Sequence, residues 1–407
     1  MASRGEASTL GSPVHRRLTG VLRGLDPRTG ALALWLLFTL SVQRWPSWGE
    51  GIRVQFASDA RSYEEIARAA PSFPATRMLR PFAERFPTHW SVGMISDLTD
   101  VPLHVVYRIA SVLCVLVVIA VVHLALVRFG LNVRSHAVSL GALAASAYPV
   151  HYLLAAPGML SDGVFILGLS VALLGFTHER FPIALAGLVI ATVGRQTAVP
   201  VGVAAAVWVF LVRDWRATRW QRAAVCVLIP AAIYATLHFV ANPFATSGVG
   251  GLHEISVIGF LTGIRPIAEH LGRVVLGLAV PSALVLGAWR RSSGRLLCGP
   301  VLVAAAVALQ PVVLGPASNG SNEPRLAGLA APALAVAAGT FLRKTALGPR
   351  ETAVLLAAIA VAGLHHRYTH AGLHTNVEWA TIELVAAVVV LTVLVRPFGW
   401  IRSVPQR

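Results

Sequence analysis

The sequence predicts an all-α protein, a polytopic transmembrane helical bundle of about twelve spans with no soluble domain. Of its 407 residues, 56% are hydrophobic and only 13% are charged, and the mean hydropathy is +0.68. Soluble domains carry about a quarter charged residues. Apolar runs of about 17–25 residues recur along the chain, which is the length that a helix needs to cross a bilayer. They lack the alternating pattern of a membrane β-barrel, so helices are the expected way to satisfy the backbone in lipid.

The first apolar run, GALALWLLFTLSVQRWPSW, follows a basic segment and predicts an uncleaved signal anchor. The remaining predicted spans are 103–127, 137–156, 160–177, 182–194, 197–212, 223–241, 273–289, 297–314, 325–342, 351–366 and 377–395. Residues 1–30 are expected to form a basic cytoplasmic tail, and residues 397–407 a second cytoplasmic tail. Residues 31–396 form a single transmembrane domain, in which 44–102 is the first outer loop.

The distribution of charge predicts the orientation of the chain. With the N-terminus inside, the tails and inner loops carry 21 of the 34 Lys and Arg residues but only five acids, so the inner side holds the whole net charge of +16. Such an excess on one face is the positive-inside pattern of membrane proteins. It accounts for the basic composition without nucleic acid as a partner. The predicted location is a bacterial plasma membrane, with a multi-pass chain and both termini in the cytoplasm.

One stretch tests this topology. The 32 residues between Arg180 and Arg213 are too many for one span and few for two. We expect two shortened helices that meet at VGRQTAVP, where Gly194 and Pro200 favour a break. Broken helices at membrane depth are tolerated where they line a cavity. Arg195 lies at this predicted break.

The first outer loop contains an amphipathic pattern. In DARSYEEIARAA, one predicted helix face carries Tyr63, Ile66, Ala67 and Ala70, and the other carries mainly Arg61, Glu64, Glu65 and Arg68. AERFPTHWSVGMIS predicts a second, interfacial helix, with Phe86 and Trp90 as anchors. Arg77 and Arg80 lie between the two helices. The loop is therefore expected to form a lid on the membrane surface.

Several charged residues fall near the outer face in this topology, where they are costly in lipid and indicate a functional site. They are Asp59, Asp162, Arg195, Glu323 and Arg325. Each also has a structural interpretation. Asp59 and Asp162 suit helix N-caps, Arg195 suits snorkelling to the interface, and Glu323 with Arg325 suits a structural ion pair. The histidines His365, His366, His370 and His374 are read as wet interfacial residues, with a metal site as the less favoured alternative.

Three short motifs together resemble the GT-C class of membrane glycosyltransferases. They are Asp59 in SDARSY, Arg195 in GRQTA, and Glu323 with Arg325 in NEPRL. The resemblance implies transfer of a sugar from a polyprenyl-phosphate donor to an acceptor on the outer face, with inversion. The acceptor hydroxyl would belong to a glycan, a lipid or another molecule. In this class, an Asp at the position of Asp59 acts near the anomeric carbon.

The chemistry of such a transfer needs a general base and cations on the departing phosphate. Asp59 is the candidate base, and Arg195 and Arg325 are the leading phosphate ligands, because guanidinium groups bind phosphate oxygens in two-point contacts. Glu323, Arg77, Arg80 and Asp162 complete the set of candidate substrate-binding residues. No protein metal ligands are predicted. A divalent metal is compatible with the sequence but is not required by it.

Two other functions remain open on this evidence. A transporter or flippase of a lipid-linked glycan would also use broken helices near the midplane, although no similarly interrupted pair is visible in the two halves of the sequence. A non-enzymatic scaffold or assembly partner is the third hypothesis.

Overall fold

The computed structural model describes residues 26–42, 57–246, 272–311, 323–364 and 376–395. Within these ranges the chain is a bundle of α-helices with almost no sheet, as the sequence predicts. The α-helices are α1 Pro27–Val42, α2 Ala57–Ala69, α3 Arg80–Ala83, α4 Phe86–Thr99, α5 Leu103–Val127, α6 Val133–Ala144, α7 Tyr152–Ala155, α8 Leu160–Thr177, α9 Phe181–Gly194, α10 Ala198–Leu211, α11 Arg219–Ala241, α12 Ala279–Ser292, α13 Gly299–Ala308, α14 Glu323–Gly328, α15 Ala331–Leu342, α16 Pro349–Gly363 and α17 Asn376–Val395.

Three of the described helical segments are long and apolar enough to cross a membrane: Leu103–Val127, Pro157–Thr177 and Arg219–Phe244. A fourth span is possible if the bent pair Val133–Ala144 and Pro149–Ala155 is counted as one. Six further apolar helices of the described chain have 10–17 residues. The structure therefore confirms a membrane-type helical bundle, whereas the number of about twelve spans stays a prediction.

Glycine residues let the backbones of the antiparallel helices α8 and α9 approach closely. A Cβ on Gly168 or Gly187 would lie 2.1 Å from a backbone nitrogen of the opposite helix, and one on Gly194 would lie 2.4 Å from the nitrogen of Phe165. Small residues let helix backbones approach closely, which is the main source of helix association in lipid. The close approach brings the end of α9 against the beginning of α8.

The chain breaks where the sequence predicts a break. Helix α9 ends at Gly194 and α10 begins at Ala198, with Arg195 in an extended conformation (φ −157°, ψ 146°) between them. A second break was not predicted. The span expected over 137–156 is divided by a π-helix at Ala147–His151 and bends by 60°. π-Helical turns interrupt the regular backbone ladder and are frequent at functional sites.

The segment predicted to be the first outer loop folds onto the bundle as two helices, α2 and α4. Tyr63 and Ile66 are fully buried, as the amphipathic pattern predicts. A Cβ on Gly93 of α4 would lie 1.9 Å from the carbonyl oxygen of Ala67, so the two helices touch backbone to backbone. Glu64 is only 7% exposed, so its placement on the solvent face was wrong. Its carboxylate pairs with Arg68 at 2.7 Å and interacts with Tyr107, which stabilises it in the buried position.

A short parallel strand pair ties this loop to the end of α11. Met78 and Leu79 form β1, which pairs with β2 at Ala245 and Thr246. A 3₁₀ turn at Asn242–Phe244 precedes β2, and another at Pro157–Met159 precedes α8. The loop therefore packs above the beginning of α8 and beside the end of α11.

Candidate functional site

Three charged side chains meet at one end of the bundle. Nη1 of Arg195 donates to Oδ1 of Asp162, and Nε of Arg325 lies 3.0 Å from Oδ2 of the same carboxylate. Exposure of the three side chains is 6% or less. Asp162 is thus enclosed between two guanidinium groups in a setting that excludes most water. Buried ions are tolerated only where partners of this kind compensate for lost hydration.

The fold dictates the contact between Asp162 and Arg195. Asp162 lies in the first turn of α8, and Arg195 directly follows α9. Because the two helices are antiparallel, the beginning of one lies beside the end of the other. Gly194 has no side chain to separate its backbone from Ser161 and Phe165. The helix break then releases Arg195 from the α9 axis, and its side chain reaches the carboxylate.

Arg325 comes from α14 and is positioned by an aromatic ring. Its guanidinium carbon lies 5.5 Å from the centre of the Tyr152 ring, and Nη1 donates to the Tyr152 hydroxyl at 3.4 Å. Tyr152 immediately follows the π-helix, and α14 contacts that π-helix. The π-helix, which was not predicted, therefore positions the Tyr152 ring against which Arg325 lies.

A third arginine, Arg85, enters from the first outer loop. It is 5% exposed, and its Nη1 donates to the Tyr63 hydroxyl at 2.6 Å. Arg85 is close enough to interact electrostatically with both Asp162 and Arg195. The residues of α2 and α4 thus do more than cover the cluster, because they add a buried positive charge to it.

The side chain of Tyr63 is itself fixed by a neutral histidine. The His89 ring stacks on Tyr63 with centroids 4.0 Å apart, and Nδ1 is 2.9 Å from the Tyr107 hydroxyl. Burial, together with the positive charge of Arg85, lowers the pKa of His89 to about 3, although Asp162 opposes the shift. His89 is therefore uncharged at neutral pH and adds no fourth cation.

The cluster gathers positive charge around the carboxylate of Asp162. Among the side chains that the structure describes here, three buried guanidinium groups, those of Arg85, Arg195 and Arg325, face the carboxylate of Asp162. Nε of Arg85 and Nε of Arg195 are buried and make no hydrogen bond within the described chain. Three neighbouring buried polar atoms share this property: Oγ of Ser161, Oε1 of Gln196 and Oγ1 of Thr197. Buried polar groups normally have partners, so this arrangement is suited to an anionic ligand with several oxygens.

The predicted site residues divide into those inside this cluster and those outside it. Asp162, Arg195 and Arg325 come together in it. Arg77 is exposed. Arg80 lies in a separate polar group, where it donates to the Asn242 side chain at 3.1 Å and lies 3.1 Å from Nε2 of His238.

The separate polar group is anchored by a buried carboxylate. Oε1 of Glu84 accepts from Nδ1 of His238 at 2.7 Å and lies 3.5 Å from the Tyr234 hydroxyl. Glu84 and Arg85 are consecutive, so one backbone segment joins this group to the arginine cluster. Among the described residues, no three His, Cys, Asp or Glu side chains are grouped to hold a metal ion.

Asp59 and Glu323 are described only through their backbone. Asp59 is the third residue of α2, and its position is one helical turn before Tyr63. Glu323 begins α14, two residues before Arg325. Their side chains lie outside the described part of the structure, as do His365, His366, His370 and His374. The roles assigned to Asp59 and Glu323 therefore remain proposals.

Sequence reasoning missed Arg85, Tyr63 as its partner, and Tyr152. Arg85 is one of several arginines in the outer loop, and the choice of Arg77 and Arg80 rested on their position between two helices. The local signal for Arg85 is weak, since it sits beside Glu84 and suggests an exposed ion pair. Only the tertiary packing of α2 on α4 turns it inward.

Comparison with solved structures finds proteins of similar fold. The chain is similar to the crystal structure of ArnT from Cupriavidus metallidurans bound to undecaprenyl phosphate, with 16% identity and a TM-score of 0.48. The match covers 94% of this chain and 78% of the other. No protein-family model matches the chain, and no curated protein matches it in sequence. At 16% identity, the chemistry of the site has to be argued from its own residues.

Proposed function

We propose that this protein is a membrane glycosyltransferase that moves a sugar from a polyprenyl-phosphate donor to an acceptor hydroxyl on the outer face. The observation that carries the proposal is the buried cluster of three arginines around the carboxylate of Asp162. It lies at one end of a membrane-type helical bundle, where α2 and α4 pack.

The positive charge of the arginine cluster favours polyprenyl phosphate, the product left when the sugar departs, over the intact donor. A sugar linked to a polyprenyl chain through one phosphate carries one negative charge. After the sugar departs, the polyprenyl phosphate is a monoester with a charge of about −1.5 to −2. A site with three buried guanidinium groups therefore binds the developing leaving group more strongly than the ground state. Such differential binding lowers the barrier.

Asp59 is the proposed general base. Its carboxylate takes the proton of the acceptor hydroxyl, and the hydroxyl oxygen attacks the anomeric carbon. The bond from that carbon to the phosphate oxygen breaks, and the electron pair leaves with the phosphate. Attack opposite the leaving group inverts the anomeric centre. The position of Asp59, one turn before Tyr63, supports this role because Tyr63 contacts Arg85 at the cluster.

A second function, transport of a lipid-linked glycan, is favoured by the helix breaks. Two interruptions, at Arg195 and at Ala147–His151, border the cluster. Broken helices at binding sites are frequent in transporters. In this case the arginines would bind the phosphate of the cargo, and no glycosidic bond would be made or broken.

The test is sugar transfer in proteoliposomes that contain a polyprenyl-phosphate-linked radiolabelled sugar and an extract of cell-envelope lipids and glycans as the source of acceptor hydroxyls. We expect wild-type protein to consume the donor and release polyprenyl phosphate. Asp59→Asn is expected to lower the rate by about 10²–10⁴-fold, the usual contribution of a positioned general base. Glu65→Gln, in the same helix and paired with Arg61, is the matched control.

Two results would argue against this proposal. Movement of intact donor across the bilayer without release of polyprenyl phosphate would indicate transport. Equal rates for Asp59→Asn and Glu65→Gln would remove Asp59 as the base.

A further inference from the structure

A second charged site lies at the opposite end of the bundle. A pocket of about 480 Å³ opens between the loop after α12 and the last turn of α15. Helix α15 begins at Ala331, shortly after Arg325, and ends at Leu342. At 1.5 Å per residue, its 12 residues span about 18 Å. The pocket is therefore separated from the Asp162 cluster by most of the bundle length.

Three cations line this pocket: Arg295 from the loop, and Arg343 with Lys344 after α15. No Asp or Glu lines it within the described chain, and none of the three cations forms an ion pair there. Arg343 lies 5.9 Å from the centre of the Phe129 ring, which leaves its nitrogen atoms available. Three convergent cations without a carboxylate form a site for a phosphate group.

The same pocket has an apolar wall. Leu297, which is 65% exposed, and Phe341, which is buried, both line it. The loop that carries Arg295 and Leu297 has a defined shape, because Nε1 of Trp289 donates to the carbonyl of Gly294 at 2.7 Å. The cavity is thus preformed, and both cations and a large apolar side chain line it.

We propose that this pocket binds the phosphodiester headgroup of an anionic phospholipid. Arg295, Arg343 and Lys344 surround the phosphate, and Leu297 contacts the adjoining glycerol and acyl carbons. Phosphate in solution presents similar anionic oxygens, but it has no group for the apolar wall. In the predicted topology the pocket faces the inner leaflet, where juxtamembrane basic residues attract anionic lipids. This site is independent of the proposed transfer reaction.

General charge bias explains part of the pattern but not all of it. The positive-inside rule accounts for basic residues at this end of the bundle. It does not require three of them to converge on a cavity. Other exposed arginines at the same end, Arg128, Arg216 and Arg350, do not line the pocket. They provide a matched set of charges for a control.

Cys298 offers a direct probe, because it lines the pocket and is partly exposed, whereas Cys114 and Cys226 are buried. The rate of maleimide labelling of Cys298 is measured in full-length protein in nanodiscs. The discs contain phosphatidylcholine alone, phosphatidylcholine with phosphatidylglycerol, or phosphatidylcholine with inorganic phosphate in the buffer. We expect phosphatidylglycerol to slow labelling by about fivefold or more, and inorganic phosphate to have little effect.

The pocket variant is Arg295→Gln/Arg343→Gln/Lys344→Gln, and the control is Arg128→Gln/Arg216→Gln/Arg350→Gln. Both remove three positive charges. The ratio of labelling rates with and without phosphatidylglycerol is expected to approach one in the pocket variant and to keep its wild-type value in the control. If the triple pocket variant does not fold, Lys344→Gln alone is expected to move the ratio part of the way from its wild-type value toward one.

Three outcomes would overturn the proposal. One is wild-type labelling that does not respond to phosphatidylglycerol. Another is an equal loss of protection in the pocket and control variants, which would indicate surface charge alone. The third is protection by inorganic phosphate that equals protection by the lipid, which would assign the pocket to a soluble anion.

Discussion

Asp162 has a structural role that its position at a helix start does not reveal. As an N-cap it would accept backbone hydrogen bonds of α8, but Met159 occupies the cap and the carboxylate instead contacts Arg195 and Arg325. Arg195, which pairs with this carboxylate, directly follows the C-terminal end of α9, and the last turn of α9 has no other charged residue. The carboxylate therefore holds two arginines in a fixed arrangement before any ligand arrives.

Removal of Arg195 is expected to destabilise the protein through Asp162. Arg195→Gln leaves a buried carboxylate with one fewer partner, and breaking such a pair costs about 3–5 kcal/mol. The double variant Arg195→Gln/Asp162→Asn removes both charges and is expected to recover much of the lost stability. Thermal unfolding in detergent measures the single and double variants. Additive losses for the two substitutions would contradict the coupling.

The lowered pKa of His89 predicts that the stability of the folded protein decreases at acidic pH. Its pKa is about 3 in the folded protein and 6.5 in the unfolded chain, so the unfolded state binds more protons between these values. Stability is therefore full above pH 6.5 and falls as the pH drops toward 3, by on the order of 3–5 kcal/mol. His89→Asn is expected to flatten this part of the unfolding curve measured against pH. His104→Gln is the control, and an unchanged acid limb in His89→Asn would contradict the assignment.

At the scale of elements, much of the architecture could be predicted, because apolar length and helix breaks are local properties. The expected spans 103–127 and 160–177 correspond to α5 and α8. The break near Arg195 follows from a length that fits neither one span nor two. The π-helix at Ala147–His151 also has a local signal, Pro149, which lacks a backbone N–H and interrupts a helix, but the span predicted over 137–156 ran through it.

The candidate site was predicted in part for the same reason. Asp162, Arg195 and Arg325 stand out because charge in an apolar chain is costly and therefore visible. Arg85 and Tyr63 lie in a polar loop, where charge is common and carries no such signal. Their burial arises only when α2 and α4 pack together at Gly93.

The α8–α9 hairpin makes a prediction about glycine. Gly194→Val would place a branched side chain where a Cβ alone lies 2.4 Å from the nitrogen of Phe165. The helices must then separate, which moves Arg195 away from Asp162 and is expected to abolish donor binding or folding. Gly30→Ala in α1 is the control, since nothing lies within 4 Å of its added Cβ. Monodispersity in detergent and donor binding are measured, and wild-type binding in Gly194→Val would contradict the role of the hairpin.

At the scale of the whole molecule, charge and fold separate two ends. One end holds the arginine cluster under α2 and α4, and the other holds the basic pocket and the ion pair between Arg291 and Glu351 at 2.9 Å. The predicted topology assigns the first end to the outside. A bundle with these two ends would bind phosphate-bearing lipids in both leaflets, through different residues.

This orientation can be measured with single cysteines in a background without Cys114, Cys226 and Cys298. A membrane-impermeant maleimide is expected to label Arg77→Cys in intact cells and to label Lys344→Cys only after permeabilisation. Both positions are exposed, so access depends on the side of the membrane. Labelling in the reverse order would invert the topology and place the arginine cluster inside.

The most direct test of the central claim is the affinity of the full-length protein for polyprenyl phosphate in nanodiscs, with neutral polyprenol as the reference. The wild type is expected to prefer the phosphate, and Arg85→Gln to weaken its binding by about tenfold or more, because a charge-assisted hydrogen bond contributes about 1.5–3 kcal/mol. Arg61→Gln, exposed in the same loop, is expected to bind as the wild type does. Equal affinity for polyprenol and polyprenyl phosphate, or equal binding by the two variants, would contradict a phosphate site at the arginine cluster.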